Sequence, residues 1–187
     1  MNWYKFSQNQ LFQQYDLNLK QPAVNINITG SGVNQVVEIP GGKPISVKDL
    51  LNKAVNKIRP VLTKNNVREI NTDKISNPNA QGLAKSNTPG VVYIDVAKIV
   101  SVAKSSLPSV TQLDGANQDP DIINSISEKV SSLLLGELGE TALHESFHSQ
   151  QFHTLYQQGK PFSEATEDPA EQFGKSQRKT YFSDSLE

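Results

Sequence analysis

Two histidines separated by one helical turn enclose a glutamate in the stretch His144-Glu145-Ser146-Phe147-His148. Side chains at positions i and i+4 lie on one face of a helix, so the two imidazoles can occupy adjacent corners of a zinc tetrahedron. Glu145, next to the first histidine, can accept a proton from a zinc-bound water. The spacing therefore predicts a zinc-dependent hydrolase site in which His144 and His148 bind the metal and Glu145 is the general base.

A catalytic zinc ion needs a third protein ligand, because three side chains and one water complete its tetrahedron. His153 is close in sequence, but fewer residues separate it from His148 than in the metzincin-type spacing, and the glycine of that spacing is missing between them. Glu167 and Glu171 come after a predicted loop at 157–166 and are again one helical turn apart. One of these acids can bind the metal while the other hydrogen-bonds a metal-binding histidine.

The two acids after the loop belong to a pattern that occurs in a known group of enzymes. His-Glu-x-x-His followed by Glu-x-x-Ala-Glu, here with Glu167, Ala170 and Glu171, resembles the gluzincin metallopeptidases, in particular their lethal-factor-like and phage-repressor-cleaving members. The resemblance covers about residues 140–175. It implies a zincin-like α+β fold with a small mixed or antiparallel sheet, a long helix that carries the motif, and a C-terminal helix that carries the third ligand.

The resemblance also assigns roles to the two acids. It implies that Glu167 is the third zinc ligand and that Glu171 orients His144. Pro169 departs from the family pattern, and it fits a helix only within the first turn, where a missing N–H is harmless. Glu171 and His153 therefore stay as the alternative third ligands.

Four segments have the alternation or the β-branched composition of strands. They are residues 24–29, 36–39, 67–70 and 91–96. The first two flank Gly30-Ser31-Gly32 and are predicted to form a hairpin. The last is the strongest, and by the resemblance it is the edge strand that pairs with an extended substrate. Residues 71–90 are rich in Asn, Ser, Gly and Pro and are predicted to form a long loop at the rim of the cleft.

Four segments have apolar residues at the three- and four-residue spacing of helices. They are residues 3–18, residues 47–62, residues 97–107 and a long stretch from Ile122 through the histidines. Ser46 is a suitable N-cap for the second helix, and Pro60 is expected to kink or end it near Arg59. Asp119-Pro120 supplies an N-cap and a first helical residue for the long helix.

The length of 187 residues predicts a single metallopeptidase-like domain over residues 1–187. In this prediction residues 1–20 form an N-terminal amphipathic helix, 21–118 the sheet and its helices, and 119–187 the zinc-binding helical part. Strands followed by a run of helices indicate the α+β class.

The composition limits the classes of function. A net charge of -1 argues against a nucleic-acid partner and against an anionic membrane surface. No apolar run approaches the roughly 20 residues of a membrane span. The lack of cysteine excludes a Cys-ligated zinc, a Cys nucleophile and disulfides. The N-terminus lacks a signal-peptide pattern, so a cytoplasmic protein is expected, with secretion by a leaderless route left open.

The sequence thus predicts a zinc metallopeptidase that acts on peptides or on one specific protein. Two alternatives stay open. One is a zinc enzyme that hydrolyses a non-peptide amide, and the other is a non-catalytic binding or structural module that keeps a zinc site, for example a phage- or mobile-element-associated protein. The intact Glu145 argues against the non-catalytic module, because a structural site has no need of a general base.

Overall fold

The computed structural model describes residues 25–105 and 119–183. The predicted N-terminal helix at 1–20 lies outside these residues. Within the described residues the chain combines a small mixed sheet, a two-stranded ladder and four helices, which confirms the α+β class. The strands are β1 Asn27–Thr29, β2 Val36–Val37, β3 Ile45–Ser46, β4 Glu69–Asn71, β5 Gly82–Ala84 and β6 Val91–Ile94. The helices are α1 Val47–Lys64, α2 Val96–Ser105, α3 Pro120–Gln157 and α4 Glu167–Tyr181, and single 3-10 turns cover Ser31–Asn34 and Phe162–Glu164.

The main sheet has the strand order β1-β4-β6-β5. Strands β1, β4 and β6 are parallel, and β5 is antiparallel to β6. The strand predicted at 91–96 is therefore β6, an interior strand with β4 on one side and β5 on the other. The role of edge strand that the resemblance implied for it is wrong. Strand β5, which lies inside the predicted loop at 71–90, occupies that edge.

The hairpin predicted on either side of Gly30 is also wrong, since β1 pairs with β4 and β2 pairs with β3. Gly30, with a φ of 91°, leads the chain from β1 into a 3-10 turn and not back along the strand. The hydroxyl of Thr72 holds this turn. It donates a hydrogen bond to the Thr29 carbonyl (2.7 Å) and accepts one from the Val33 N–H (2.9 Å).

Helix α1 begins where its sequence predicts but does not end at Arg59. The Ser46 hydroxyl accepts a hydrogen bond from the Asp49 N–H (3.2 Å), which confirms the N-cap. The helix continues through Pro60 to Lys64. Its buried apolar face packs against α3, and this packing offsets the one backbone hydrogen bond that a proline removes.

Helix α3 is the longest element, with 38 residues and a length of roughly 57 Å. Asp119 caps it by accepting a hydrogen bond from the Asp121 N–H (3.0 Å), and Pro120 is its first residue, as predicted. It packs against the other three helices and against β5 and β6, so it runs through the centre of the molecule. No helix in the described ranges is both long enough and apolar enough to cross a membrane.

The core lies between the sheet and helices α1, α2 and α3. Its largest fully buried side chains come from all of these elements and from the C-terminal segment: Leu51, Ile58, Leu62, Ile70, Ile94, Ile99, Leu134, Leu138, Leu143 and Phe182. One buried polar pair reaches from the end of α1 into α3, where the Asn65 amide donates a hydrogen bond to the hydroxyl of Ser146 (2.9 Å). Ser146 directly follows Glu145, so the core holds the motif in place.

Two glycines of α3 mark close packing against the C-terminal segment. A Cβ at Gly139 would overlap the ring of Phe182, which is 0% exposed. A Cβ at Gly136 would lie 3.0 Å from Nη2 of Arg178. Helix α4 and the residue that follows it are therefore seated directly on the α3 backbone.

Replacing Phe182 with alanine is expected to lower the free energy of unfolding by about 3–5 kcal/mol, because it leaves a cavity against Gly139. Urea denaturation followed by circular dichroism measures this change. Ile122→Ala, at a position on α3 that is 54% exposed, is the control and should cost less than about 1 kcal/mol. Equal losses in the two variants would show that Phe182 does not belong to the core.

Candidate metal centre

The His-Glu-x-x-His motif lies in the C-terminal half of α3, and its two imidazoles face one space. The ring centroids of His144 and His148 are 5.0 Å apart, with an interplanar angle of 67°. Together with Glu145 these residues form a group whose ligand atoms all lie within 4.8 Å of one another. Such a group can hold a metal ion.

Glu167, the first residue of α4, brings a carboxylate to the same space. Its Oε2 lies 3.4 Å from Nε2 of His144 and 2.5 Å from Nε2 of His148. Tetrahedral zinc with bonds near 2.0–2.2 Å sets its ligand atoms about 3.3 Å apart. The first distance matches this spacing. The second is a direct hydrogen bond, which has to lengthen by less than about 1 Å to admit the ion.

Glu145 lies beside this set of donors. Its Oε1 is 3.8 Å from Nε2 of His144, farther than the 3.4 Å that separates the same nitrogen from Glu167. Glu145 is 6% exposed, whereas the side chain of Glu167 is 74% exposed. The two Nε2 atoms and Oε2 of Glu167 therefore form a three-donor set beside the group of His144, Glu145 and His148, with Glu145 as the neighbouring buried acid.

The local sequence explains why α4 begins at Glu167. Thr166 is the N-cap of α4, Glu167 is its first residue, and Pro169 falls in its first turn. Proline is tolerated there, because the first N–H groups of a helix have no partner within it. The departure from the family pattern at Pro169 is thus accommodated.

Sequence reasoning misses Gln151, which joins the two helices at the site. Its Nε2 donates a hydrogen bond to the Thr166 carbonyl (3.1 Å), so its Oε1 faces Nδ1 of His148 (2.9 Å). This contact orients the ring through Nδ1 and directs Nε2 toward Glu167, so a metal bound there would take the place of the proton that joins Nε2 to the carboxylate. The only signal in the sequence is the position of Gln151 one helical turn after His148.

The electrostatic surroundings of His144 also suit metal binding. Burial is the main cause that lowers the pKa of His144, the neighbouring His148 lowers it further, and Glu167 opposes both. The ring is therefore mostly neutral at pH 7, which is the form that binds a metal.

The two alternative third ligands lie elsewhere. Oε1 of Glu171 pairs with Nζ of Lys175 at 2.5 Å on the exposed side of α4, and this hydrogen bond lowers the pKa of Glu171. The hydrogen-bond partner of Glu171 is thus Lys175, while its interaction with His144, the partner that the resemblance implied, is electrostatic. Among the described residues, neither His153 nor Glu167 belongs to the group of His144, Glu145 and His148, and burial lowers the pKa of His153.

Helix α4 is fixed on α3 by charged and aromatic contacts. Nη1 of Arg178 donates hydrogen bonds to Glu137 (2.6 Å) and Glu140 (2.5 Å), and all three side chains are largely buried. The rings of Phe147 and Phe173 lie 5.0 Å apart between the same helices. These contacts prevent α4 from sliding along α3, so they also fix the position of its first residue.

A cleft of about 300 Å³ opens between α3 and the segment that leads into β5. His144, Glu145 and Glu167 line one side of it, and Asn79–Gly82 line the other. A Cβ at Gly82 would lie 2.6 Å from both Cγ and Oε1 of Glu145. Only glycine therefore allows the edge strand to pass this close to the buried acid.

The segment that forms the far wall of the cleft is held by α2. Nζ of Lys98 donates hydrogen bonds to the carbonyls of Asn77 (2.5 Å) and Ala80 (2.7 Å). The Asp95 N–H donates to the carbonyl of Gln81 (2.7 Å). The predicted rim loop is therefore tied to the body of the molecule just before it enters β5.

Burial is the main reason that the pKa of Glu145 is raised to about 8, and the negative charge of Glu167 adds to the effect. A hydrogen bond with the backbone of Ala84 acts in the opposite direction. A cation at the three-donor set would also lower this pKa, because it favours the charged form. Glu145 is thus a carboxyl group whose proton affinity can be set near neutral pH, as a general base requires.

Comparison of the chain with protein-family models, with curated proteins and with solved structures finds no match. The structure shows a His-Glu-x-x-His cluster on a helix that is compatible with a zincin motif and that can hold a metal ion. Any assignment of the metal and of a reaction therefore depends on the chemistry of these side chains.

Glu145→Gln is expected to change how stability depends on pH. An acid whose pKa rises from 4.5 to about 8 on folding contributes stability below pH 4.5 that is lost as the pH rises through 8. The variant should therefore be more stable than the unsubstituted chain above about pH 8, by up to about 5 kcal/mol, and should differ little at about pH 4.5. Urea denaturation of EDTA-treated proteins across this range measures the difference.

Glu128→Gln, at an exposed position of α3, is the control for this measurement and should follow the unsubstituted chain at every pH. A stability difference for Glu145→Gln that stays constant from acid to alkaline pH would contradict the assigned burial of the acid.

Proposed function

We propose that this chain is a zinc-dependent metallopeptidase of the gluzincin type, with His144, His148 and Glu167 as zinc ligands and Glu145 as general base. The observation that carries the proposal is the convergence of two imidazoles from α3 and a carboxylate from α4 beside a buried acid at a cleft. If the two histidines only belonged to an ordinary surface helix, nothing would require a carboxylate from a second helix beside them.

The chemistry of the three donors supports zinc. Two imidazole nitrogens and one carboxylate oxygen form a donor set of catalytic zinc sites, whereas calcium and magnesium prefer oxygen ligands alone. Three protein donors leave a fourth position for solvent or substrate, while structural zinc sites use four protein ligands. When bound, zinc polarises water and the substrate carbonyl and offsets the negative charge that develops in the reaction.

Glu145 moves the proton in the proposed reaction. Its carboxylate accepts a proton from the attacking water and then passes it to the nitrogen of the leaving amine. Burial keeps the proton affinity of Glu145 high enough for the first step, and the hydrogen bond with the Ala84 backbone orients the carboxyl group. The close approach of Gly82 keeps bulk water from the carboxyl group.

The edge position of β5 supports a peptide as substrate. Strand β5 pairs with β6 on one side, and none of the described strands pairs with its other side. Extended peptides bind such edges through backbone hydrogen bonds. A peptide that pairs with Gly82–Ala84 passes over the buried acid, so its backbone amide is the bond presented to the metal centre.

Zinc affinity distinguishes the candidate ligands. His144→Ala and Glu167→Gln are each expected to weaken zinc binding by about 100-fold or more, because each removes a donor. Glu171→Gln is the matched control one helical turn away, and its affinity should stay within about threefold of the unsubstituted chain, because Glu171 pairs with Lys175. Competition with a fluorescent zinc chelator measures all three. A larger loss for Glu171→Gln than for Glu167→Gln would exchange their roles.

Glu145→Gln is expected to retain zinc and to lose hydrolysis by about 10²–10⁴-fold, because it removes the general base and no metal ligand. The probe is a proteome-derived mixture of peptides whose cleavage products are identified by mass spectrometry. The zinc-loaded unsubstituted chain should cleave peptides in this mixture, and EDTA should abolish cleavage. Zinc binding without cleavage, combined with unfolding when zinc is removed, would identify a structural metal and refute the proposal.

A further inference from the structure

A second cavity, of about 540 Å³, lies at the other end of β5. Ala84 and the residues that follow it line one side, and the rings of Phe152 and Phe162 line the other. These two rings meet edge to face, with their centroids 5.7 Å apart. Phe152 also stacks on His148, with 6.4 Å between the ring centroids. A single aromatic ring therefore separates this Phe152–Phe162 pocket from the metal centre.

The two rings that line the pocket lie outside the hydrophobic core. The core cluster contains the C-terminal Phe182, but neither Phe152 nor Phe162 belongs to it or to the side chains packed around it. Both are half-buried, one on α3 and the other in the 3-10 turn before α4. Half-buried rings at a cleft keep apolar surface that a bound apolar group can cover.

The polar groups around the pocket favour an uncharged occupant. Ser86, Asn87 and Ser163 border it with neutral side chains. Nζ of Lys85 lies 4.4 Å from the ring centroid of Tyr93, where the face of the ring attracts the ammonium group. The two phenylalanine rings are thus the main surface that a ligand can contact.

Strand β5 connects the pocket to the metal centre in a fixed order. Gly82 lies against Glu145, and Ala84 borders the pocket. A peptide that pairs antiparallel with β5, in the more stable kind of ladder, runs from the pocket toward Gly82. Ala84 follows Gly82 by two residues, and residues of a strand are about 3.3 Å apart, so the pocket lies about two residues from the buried acid along a chain paired with β5.

We infer that the Phe152–Phe162 pocket selects the substrate by binding an aromatic or large aliphatic side chain about two residues N-terminal to the cleaved bond. This inference rests on the proposed function and adds a substrate class to it, namely peptides with an apolar anchor on the N-terminal side. An aromatic anchor buries its surface against both rings and adds edge-to-face contacts, so it is preferred over a small or charged side chain.

Cleavage-site profiling tests the inference. The zinc-loaded full chain digests a proteome-derived peptide library, and mass spectrometry identifies the residues around each cut. Phenylalanine, tyrosine and leucine are expected to be enriched about two positions before the cut. Phe162→Ala should lower kcat/KM by about tenfold for peptides with phenylalanine there and by less than about twofold for peptides with serine there. Zinc affinity should not change, because no ligand is altered.

Phe162→Leu is the matched control, since it keeps the apolar bulk and removes only the ring. It should retain the enrichment of apolar residues and reduce the preference for phenylalanine over leucine. If Phe162→Ala fails to fold, Phe162→Leu and Phe152→Leu provide the test through that same preference.

Three results separate this inference from the proposed function. Cleavage without an apolar preference on the N-terminal side overturns the inference and leaves the hydrolase standing. So does a preference that the substitutions at Phe152 and Phe162 leave intact. Zinc binding without any cleavage by the unsubstituted chain overturns the proposed function, and the inference falls with it.

Discussion

Helices α3 and α4 approach closely where Gly174 faces His144, since a Cβ at residue 174 would lie only 3.3 Å from the Cβ of the histidine. Because the rise of a helix is fixed, this contact sets the position of Glu167 about two turns earlier on α4. Arg178 and Phe182 each pack over a glycine of α3. These two contacts fix the same register of α4 along α3 near the C-terminal end of α4. The third donor is therefore placed by the packing of two helix backbones, and the loop between them only has to connect them.

The burial of the Glu145 carboxyl group has a cost to the stability of the fold. Folding removes Glu145 from water and raises its pKa to about 8, and the passage of Gly82 completes its burial. An amide or an apolar side chain of similar size would avoid the penalty of burying a group that ionises. A perturbed acid that borders a cleft beside two histidines is a candidate for a functional site and is unfavourable in a purely structural helix.

Local patterns predict most of the candidate site, because the information lies within one or two turns of helix. The spacing of His144 and His148 and the cap before α3 need no knowledge of the fold. The choice of Glu167 comes from the resemblance, and Pro169 leaves Glu171 and His153 open beside it. Strand pairing is different. The three residues of β5, one of them Gly82, are too few to show alternation, and they form a strand only because β6 offers an edge to them. The interior position of β6 and the parallel pairing of β1 with β4 depend in the same way on distant parts of the chain.

The short length of β5 limits how tightly an added strand can bind to its edge. An edge of three residues offers few N–H and carbonyl groups, so an added strand gains few ladder hydrogen bonds, each worth about 1 kcal/mol net. In the proposed reaction such weak pairing would let the cleaved fragments dissociate, and an edge of three residues is too short to template a growing sheet between neighbouring copies. A longer edge strand would bind a paired peptide more tightly, with the risk of product inhibition and aggregation.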